Sequence, residues 1–214
     1  GCSRLVNVNL PEGLTSIGPT AFQSCINLRE ISIPDSVQAI HGSAFEWALR
    51  LSDIRVGAGN PTYHTVDGVL LTKDGYELTV YPAGRPGIRY DVPDGVVEIA
   101  PSAFYGSGLV AVRCPDSLRK IGRTAFANNE RLRYVQLPAG MQSIETWAFS
   151  GSDNITDVCF GGSEEAFHAL CDPDYVFPSR VNVHSYSYMV IPGAAELFLS
   201  LIHISEPTRR VVIS

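Results

Sequence analysis

A β-rich solenoid of stacked coils is the fold this sequence predicts, and three features predict it. An Ala-Phe pair recurs as Ala21-Phe22, Ala44-Phe45, Ala103-Phe104, Ala125-Phe126 and Ala148-Phe149. Each phenylalanine lies eleven residues after a proline, and each alanine four after an isoleucine. Ahead of the proline stands Leu-x-x-[Val/Ile]-x-apolar, as in Leu5/Val8/Leu10, Leu28/Ile31/Ile33, Leu109/Val112/Cys114 and Leu132/Val135/Leu137. The unit is 22–23 residues, a period that belongs to repeat architectures.

Each part of the unit has a physical reading. Apolar residues alternating up to the proline form a short strand with one face inward. The proline ends strand pairing because it has no N–H to donate. A second short segment passes through Ile17, Ile40, Ile99, Ile121 or Ile144 into a tight turn. There alanine is small enough for close stacking of coils, and Phe22, Phe45, Phe104, Phe126 and Phe149 fill the centre. One coil cannot bury its own apolar side, so each is stabilised by its neighbours. These ten isoleucines and phenylalanines are the expected structural core.

The bulk numbers agree with one compact array. The chain has 214 residues, 45% hydrophobic and 18% charged, which is too apolar for disorder. A net charge of −6 offers no basic field for nucleic acid. No apolar run approaches the roughly 18 residues of a membrane span.

The repeat resembles the BspA-like leucine-rich repeat family, whose units read L-x-x-[IV]-x-[IL]-P-x-x-[VL]-x-x-I-x-x-x-A-F-x-x-C. The resemblance covers residues 1–184. Only Cys2 and Cys25 keep the cysteine after Ala-Phe; Ala48, Ser107, Asn129 and Ser152 replace it elsewhere. It implies a leucine-rich repeat solenoid, placement at the cell surface or outside the cell, and adhesion to a protein or glycan partner.

The array is expected over 1–160. From Phe45 to Phe104 the spacing is 59 residues, and this interval carries Asp67-Gly68 and Asp74-Gly75 between β-rich runs. Such pairs mark consecutive hairpin turns, so 58–90 reads as a longer unit with a protruding hairpin. Ser163 before Glu164 and Glu165 is a helix-start signal, and Val181–Tyr186 reads as a strand. Residues 161–190 are therefore expected to cap the array, leaving 191–214 as a tail. Gly1-Cys2 matches the close of a coil, so the array is expected to start before it. Leu199–Arg209, LSLIHISEPTR, coincides with the translation of a transposase-type sequencing adapter and is expected to be an artefact of shotgun sequence.

Chemistry finds little support. The five cysteines form no C-x-x-C, and the five histidines sit in unrelated contexts. Cys2 and Cys25 share one repeat position on adjacent coils; they read as small core hydrophobes, with a bridge left open. No H-E-x-x-H, G-x-S-x-G or P-loop is present. The expectation is a non-enzymatic chain with no metal and no cofactor. Partner contact falls instead on the outward residues between the inward strand positions. Asp53, Arg55, Arg113, Tyr134 and Gln136 are the candidates, since tyrosine and arginine are frequent binding hot spots. The same residues also suit a solvated face of a passive spacer that presents other domains.

Overall fold

The computed structural model describes residues 1–170, Phe177 and 181–185. The first part contains β1 (Ser16–Ile17), β2 (Glu30–Ile33), β3 (Ala39–Ile40), a 3-10 turn (Gly42–Phe45) and β4 (Asp53–Val56). Three strands follow without a regular coil between them: β5 (Tyr63–Val66), β6 (Val69–Thr72) and β7 (Glu77–Val80). The second part runs β8 (Arg89–Asp91), β9 (Glu98–Ile99), β10 (Ala111–Arg113), β11 (Lys120–Ile121), β12 (Tyr134–Leu137), β13 (Ser143–Ile144) and β14 (Asp157–Phe160). Helix α1 (Glu164–Leu170) and β15 (Asn182–Ser185) complete the described elements. The remainder of the expected cap and the tail 191–214, with 199–209, lie outside the described residues.

The regular coil has a longer strand before its proline and a two-residue strand after it, as in β2/β3, β8/β9, β10/β11 and β12/β13. The longer strands form parallel ladders, β2–β4 and β8–β10–β12–β14–β15. The short ones pair as β1–β3 and as β9–β11–β13, the latter joined on β9 by the four-residue β7. At each proline the chain turns at once, with Leu14, Val37 and Leu118 donating N–H to the carbonyls of Pro11, Pro34 and Pro115. The result is a leucine-rich repeat solenoid with little helix.

The Ala-Phe turn joins coil to coil in two ways. The Phe22, Phe104 and Phe126 amides donate to the carbonyls of Ala44, Ala125 and Ala148 in the next coil, at 2.7–2.8 Å. A side chain larger than alanine would hold the backbones apart. The rings then stack: Phe104 on Phe126 at 4.6 Å and Phe126 on Phe149 at 5.1 Å, nearly parallel. Phe177 extends this column at 4.4 Å from Phe149. Ile17, Ile40, Ile99, Ile121, Ile144, Phe45, Phe104, Phe126 and Phe149 are all buried. Phe22 is half-buried: its ring stacks on Phe45 at 5.4 Å, on one side only among the described residues.

The long interval divides into two coils. Tyr81 takes a phenylalanine's place, donating its amide to Ala103 O at 2.7 Å and stacking on Phe104 at 5.0 Å. It lies 23 residues before Phe104, one ordinary period. Within the preceding coil, Asp67 and Gly68 both have positive φ, 50° and 77°, and turn β5 antiparallel onto β6. β6 pairs antiparallel with β7 across Asp74-Gly75, and β7 pairs parallel with β9.

This hairpin does not protrude as the sequence suggested. Val69, Leu70 and Leu71 are no more than 2% exposed. The run is apolar at every position, so both faces of the strand need covering. Leu70, Val80 and Tyr63 pack with the first coils; Val69, Leu71 and Leu78 pack with the later ones. The hairpin is thus a wedge between two hydrophobic clusters. At the turn edge the coils meet across it: Ser102 Oγ donates to Glu46 Oε1 at 2.7 Å, and Trp47 meets Tyr105 edge-on at 5.3 Å.

Candidate interaction face on the strand ladder

Inward and outward positions alternate along every ladder strand, so register fixes which outward side chains are neighbours. On the first ladder Glu30 faces Asp53, and Ser32 faces Arg55. On the second, one row runs Arg89, Ala111, Tyr134, Asp157, Asn182. The next row runs Asp91, Arg113, Gln136, Cys159, His184. Arg113, Tyr134 and Gln136 are brought together on β10 and β12. Asp53 and Arg55 sit apart from them on β4, because the hairpin turn comes between: Ile54 donates its amide to Gly68 O at 3.2 Å.

The candidate side chains differ in how much they have left to offer. Arg55 is 62% exposed, yet its guanidinium is taken by Asp53 Oδ2 at 2.8 Å and Glu30 Oε2 at 3.0 Å. Arg113 is exposed and has no ion-pair partner among the described residues. Tyr134 and Gln136 are half-buried beside it. Ala111, fully buried, sits between the Arg89 and Tyr134 positions.

Two further pairs on this face escaped the sequence reading. Arg89 binds Asp91 at 3.0 Å on β8, a strand whose usual leucine is Gly87 and whose inward valine is Tyr90. The proline at Pro93 was the available signal. Asp157 Oδ1 accepts from or pairs with His184 Nε2 at 2.7 Å, tying β14 to β15. Partial burial pushes the Asp157 carboxyl up, but hydrogen bonds led by His184 outweigh this and hold it below its ordinary value.

Cys159, His184 and Asp157 share this corner, but the thiol is unsuited to nucleophilic work. Burial, and then the Asp157 charge, push Cys159 up and keep it protonated. Cys114 is buried inside the core and pushed up to about 12. Cys2, Cys25, Cys114 and Cys159 are free. Among the described residues no cluster of ligand side chains could hold a metal ion, and no helix is long and apolar enough to cross a membrane.

The repeat geometry agrees with a sequence-family match. The BspA type leucine rich repeat region matches in six copies, over residues 1–64 and 89–171. The chain belongs to this family. The unmatched 65–88 is the stretch that carries the end of β5, all of β6 and β7, and Tyr81. No curated protein matches the sequence.

Several solved structures share the fold. A leucine-rich repeat protein from Eubacterium ventriosum is 23% identical with a TM-score of 0.58, covering 73% of this chain and 48% of that one. The pneumococcal vaccine antigen PcpA is 21% identical with a TM-score of 0.60, over 86% and 63% of the two chains. A leucine rich cell surface protein from Faecalibacterium prausnitzii is 23% identical with a TM-score of 0.57, over 88% and 62%. This chain therefore spans about half to two thirds of their length. As a BspA-type repeat it is a protein-interaction module in the general sense, of a family and fold that are typically non-enzymatic.

Proposed function

We propose that this chain is a non-enzymatic adhesion module of a surface or secreted protein, binding a macromolecular partner through the second ladder. The observation that carries this is Arg113: an exposed guanidinium without an ion-pair partner among the described residues, in register with Gln136 and beside Tyr134. Arginine and tyrosine are frequent hot-spot residues, and the parallel ladder fixes the backbone spacing between these two. Two structural neighbours, a vaccine antigen and a cell surface protein, support a surface setting. The partner is a protein or a glycan.

The first ladder fits a spacer role better, since Arg55, Asp53 and Glu30 satisfy one another. Capture on immobilised matrix proteins and glycans tests both. Arg113→Ala/Tyr134→Ala should abolish retention, and Arg55→Ala should leave it. Retention unchanged in the double variant would move the site off this face. No retention of the wild type on any surface would favour the spacer.

A further inference from the structure

At the edge where the first ladder strands begin lies a groove of about 530 Å³, lined by Asn7, Asn27, Arg29, Glu30, Arg50 and Ser52, with Val6. Arg29 immediately precedes β2, and Ser52 immediately precedes β4. The groove therefore repeats from coil to coil at the strand spacing, about 4.8 Å.

Its polar groups are held in place. Asn27 Nδ2 donates to Ser3 O at 2.7 Å, and Asn27 Oδ1 accepts from Arg50 Nη1 at 2.7 Å. This fixes one end of the Arg50 guanidinium and leaves its other N–H groups to a ligand. Ser52 Oγ donates to Arg29 O at 3.1 Å. The one carboxylate present, Glu30, is engaged by Arg55 at 3.0 Å. Arg29 and Arg50 have no acidic partner among the described residues, so the groove is locally basic on a chain of net charge −6.

We propose that this groove binds an anionic saccharide. Carboxylate or sulfate groups sit on Arg29 and Arg50, whose planar forks match them, and hydroxyls sit on Asn7, Asn27 and Ser52. An extended acidic peptide fits less well. The backbone here is already spent, Arg29 N on Val6 O and Ser52 N on Arg29 O, so no strand can be added. Val6 is the sole apolar side chain in the lining. Single-stranded nucleic acid would want aromatic rings to stack on, and the lining has none. The groove is distinct from the Arg113–Tyr134 face and does not rest on it.

Titration calorimetry on the full chain tests this, with a heparin oligosaccharide, polygalacturonate, neutral dextran and polyglutamate as probes. Heparin and polygalacturonate should bind, with affinity falling as salt rises. Binding of heparin alone would assign the site to sulfate, and binding of both to carboxylate as well. Dextran and polyglutamate should bind at least about tenfold more weakly. Arg29→Gln/Arg50→Gln should lose about tenfold or more, and Asn27→Ala severalfold, because Arg50 loses its anchor. Arg113→Ala/Tyr134→Ala should bind as wild type. If the glutamine pair melts early, Arg29→Lys/Arg50→Lys keeps the charge without the fork and should still lose affinity. No binding of either anionic saccharide, polyglutamate binding as tightly as heparin, or full binding by the arginine variants would overturn the proposal. So would loss of binding in Arg113→Ala/Tyr134→Ala, which would place the saccharide on the ladder face.

Discussion

The Asn129 side chain donates its Nδ2 hydrogen to the Phe104 carbonyl at 3.0 Å, one coil away. It stands where Cys25 stands in the first coil, three residues past the phenylalanine. Ser107 Oγ donates to Asn129 Oδ1, and the Asn129 amide donates to Ser152 Oγ at 3.0 Å. Ser152 Oγ in turn donates to Phe126 O at 2.7 Å. All three side chains are buried, so a polar ladder runs through the solenoid parallel to the aromatic column. It supplies the donor for the Phe126 carbonyl, and a second donor for the Phe104 carbonyl, which the Ser107 amide also reaches at 3.2 Å.

Asn129→Ala should destabilise by about 1–3 kcal/mol, because it leaves the buried Ser107 hydroxyl without its acceptor and removes one of the two donors to the Phe104 carbonyl. Denaturant unfolding should show a lower midpoint with an unchanged slope. Ser107→Ala should cost less, since it leaves one acceptor, Asn129 Oδ1, unsatisfied but keeps the bond to the Phe104 carbonyl. Equal stability of Asn129→Ala and wild type would mean that water replaces the ladder.

Phe126 lies between Phe104 and Phe149 and is fully buried. Phe126→Ala removes both stacks and leaves a cavity in the middle of the column. About 3–5 kcal/mol of stability should be lost, the range for buried aromatic truncations. Phe22→Ala should cost clearly less, because Phe22 is half-buried and stacked on one side. Thermal melts of the two variants side by side would check the order.

The seam over the hairpin wedge depends on Gly42. A Cβ there would lie 1.9 Å from Pro101 O in the coil beyond the wedge. Gly42→Ala must push the two clusters apart and should cost about 1–3 kcal/mol or more. Gly18, with nothing within 4 Å of its Cβ position, is the control: Gly18→Ala should be neutral or slightly stabilising. Equal melting of the two variants would mean that the seam is not closely packed.

How far the sequence could be read follows from where the period held. Ile and Phe repeat because each meets its own copy in the next coil, and Ala because its carbonyl takes the neighbouring coil's phenylalanine amide, so their spacing is the coil itself. Tyr81 was hidden because Val80-Tyr81 replaces Ala-Phe and the hairpin stretches the interval before it. The hairpin's depth was hidden too: Asp-Gly marks a turn, and only the unbroken run Val69-Leu70-Leu71 signals that both faces are covered. Ser107, Asn129 and Ser152 looked like departures from a cysteine, since a ladder of hydrogen bonds is a property of neighbouring coils. The same holds for the face. Alternation placed Arg55 and Arg113 outward alike, but only cross-coil register reveals that Arg55 is spent on Glu30 while Arg113 is not.

The second sheet carries a built-in electrostatic cost. Glu77 on β7 faces Glu98 on β9 in parallel register, so two carboxylates stand side by side. Burial, with the Glu98 charge adding to it and the Thr79 hydrogen bond opposing it, raises the Glu77 carboxyl above its ordinary value. A raised carboxyl binds its proton more readily folded than unfolded. The folded state therefore loses stability as pH climbs through the ordinary carboxylate range and regains it as pH falls back. Glu77→Gln removes the charge and keeps the shape, so it should raise stability at neutral pH by about 0.2–1 kcal/mol, the scale of a cross-strand pair. The gain should shrink toward zero in acid, where the wild-type Glu77 is already protonated. Paired melts of wild type and variant across the acid-to-neutral range would measure it. A gain that stays constant with pH would assign the effect to packing around Thr79 instead.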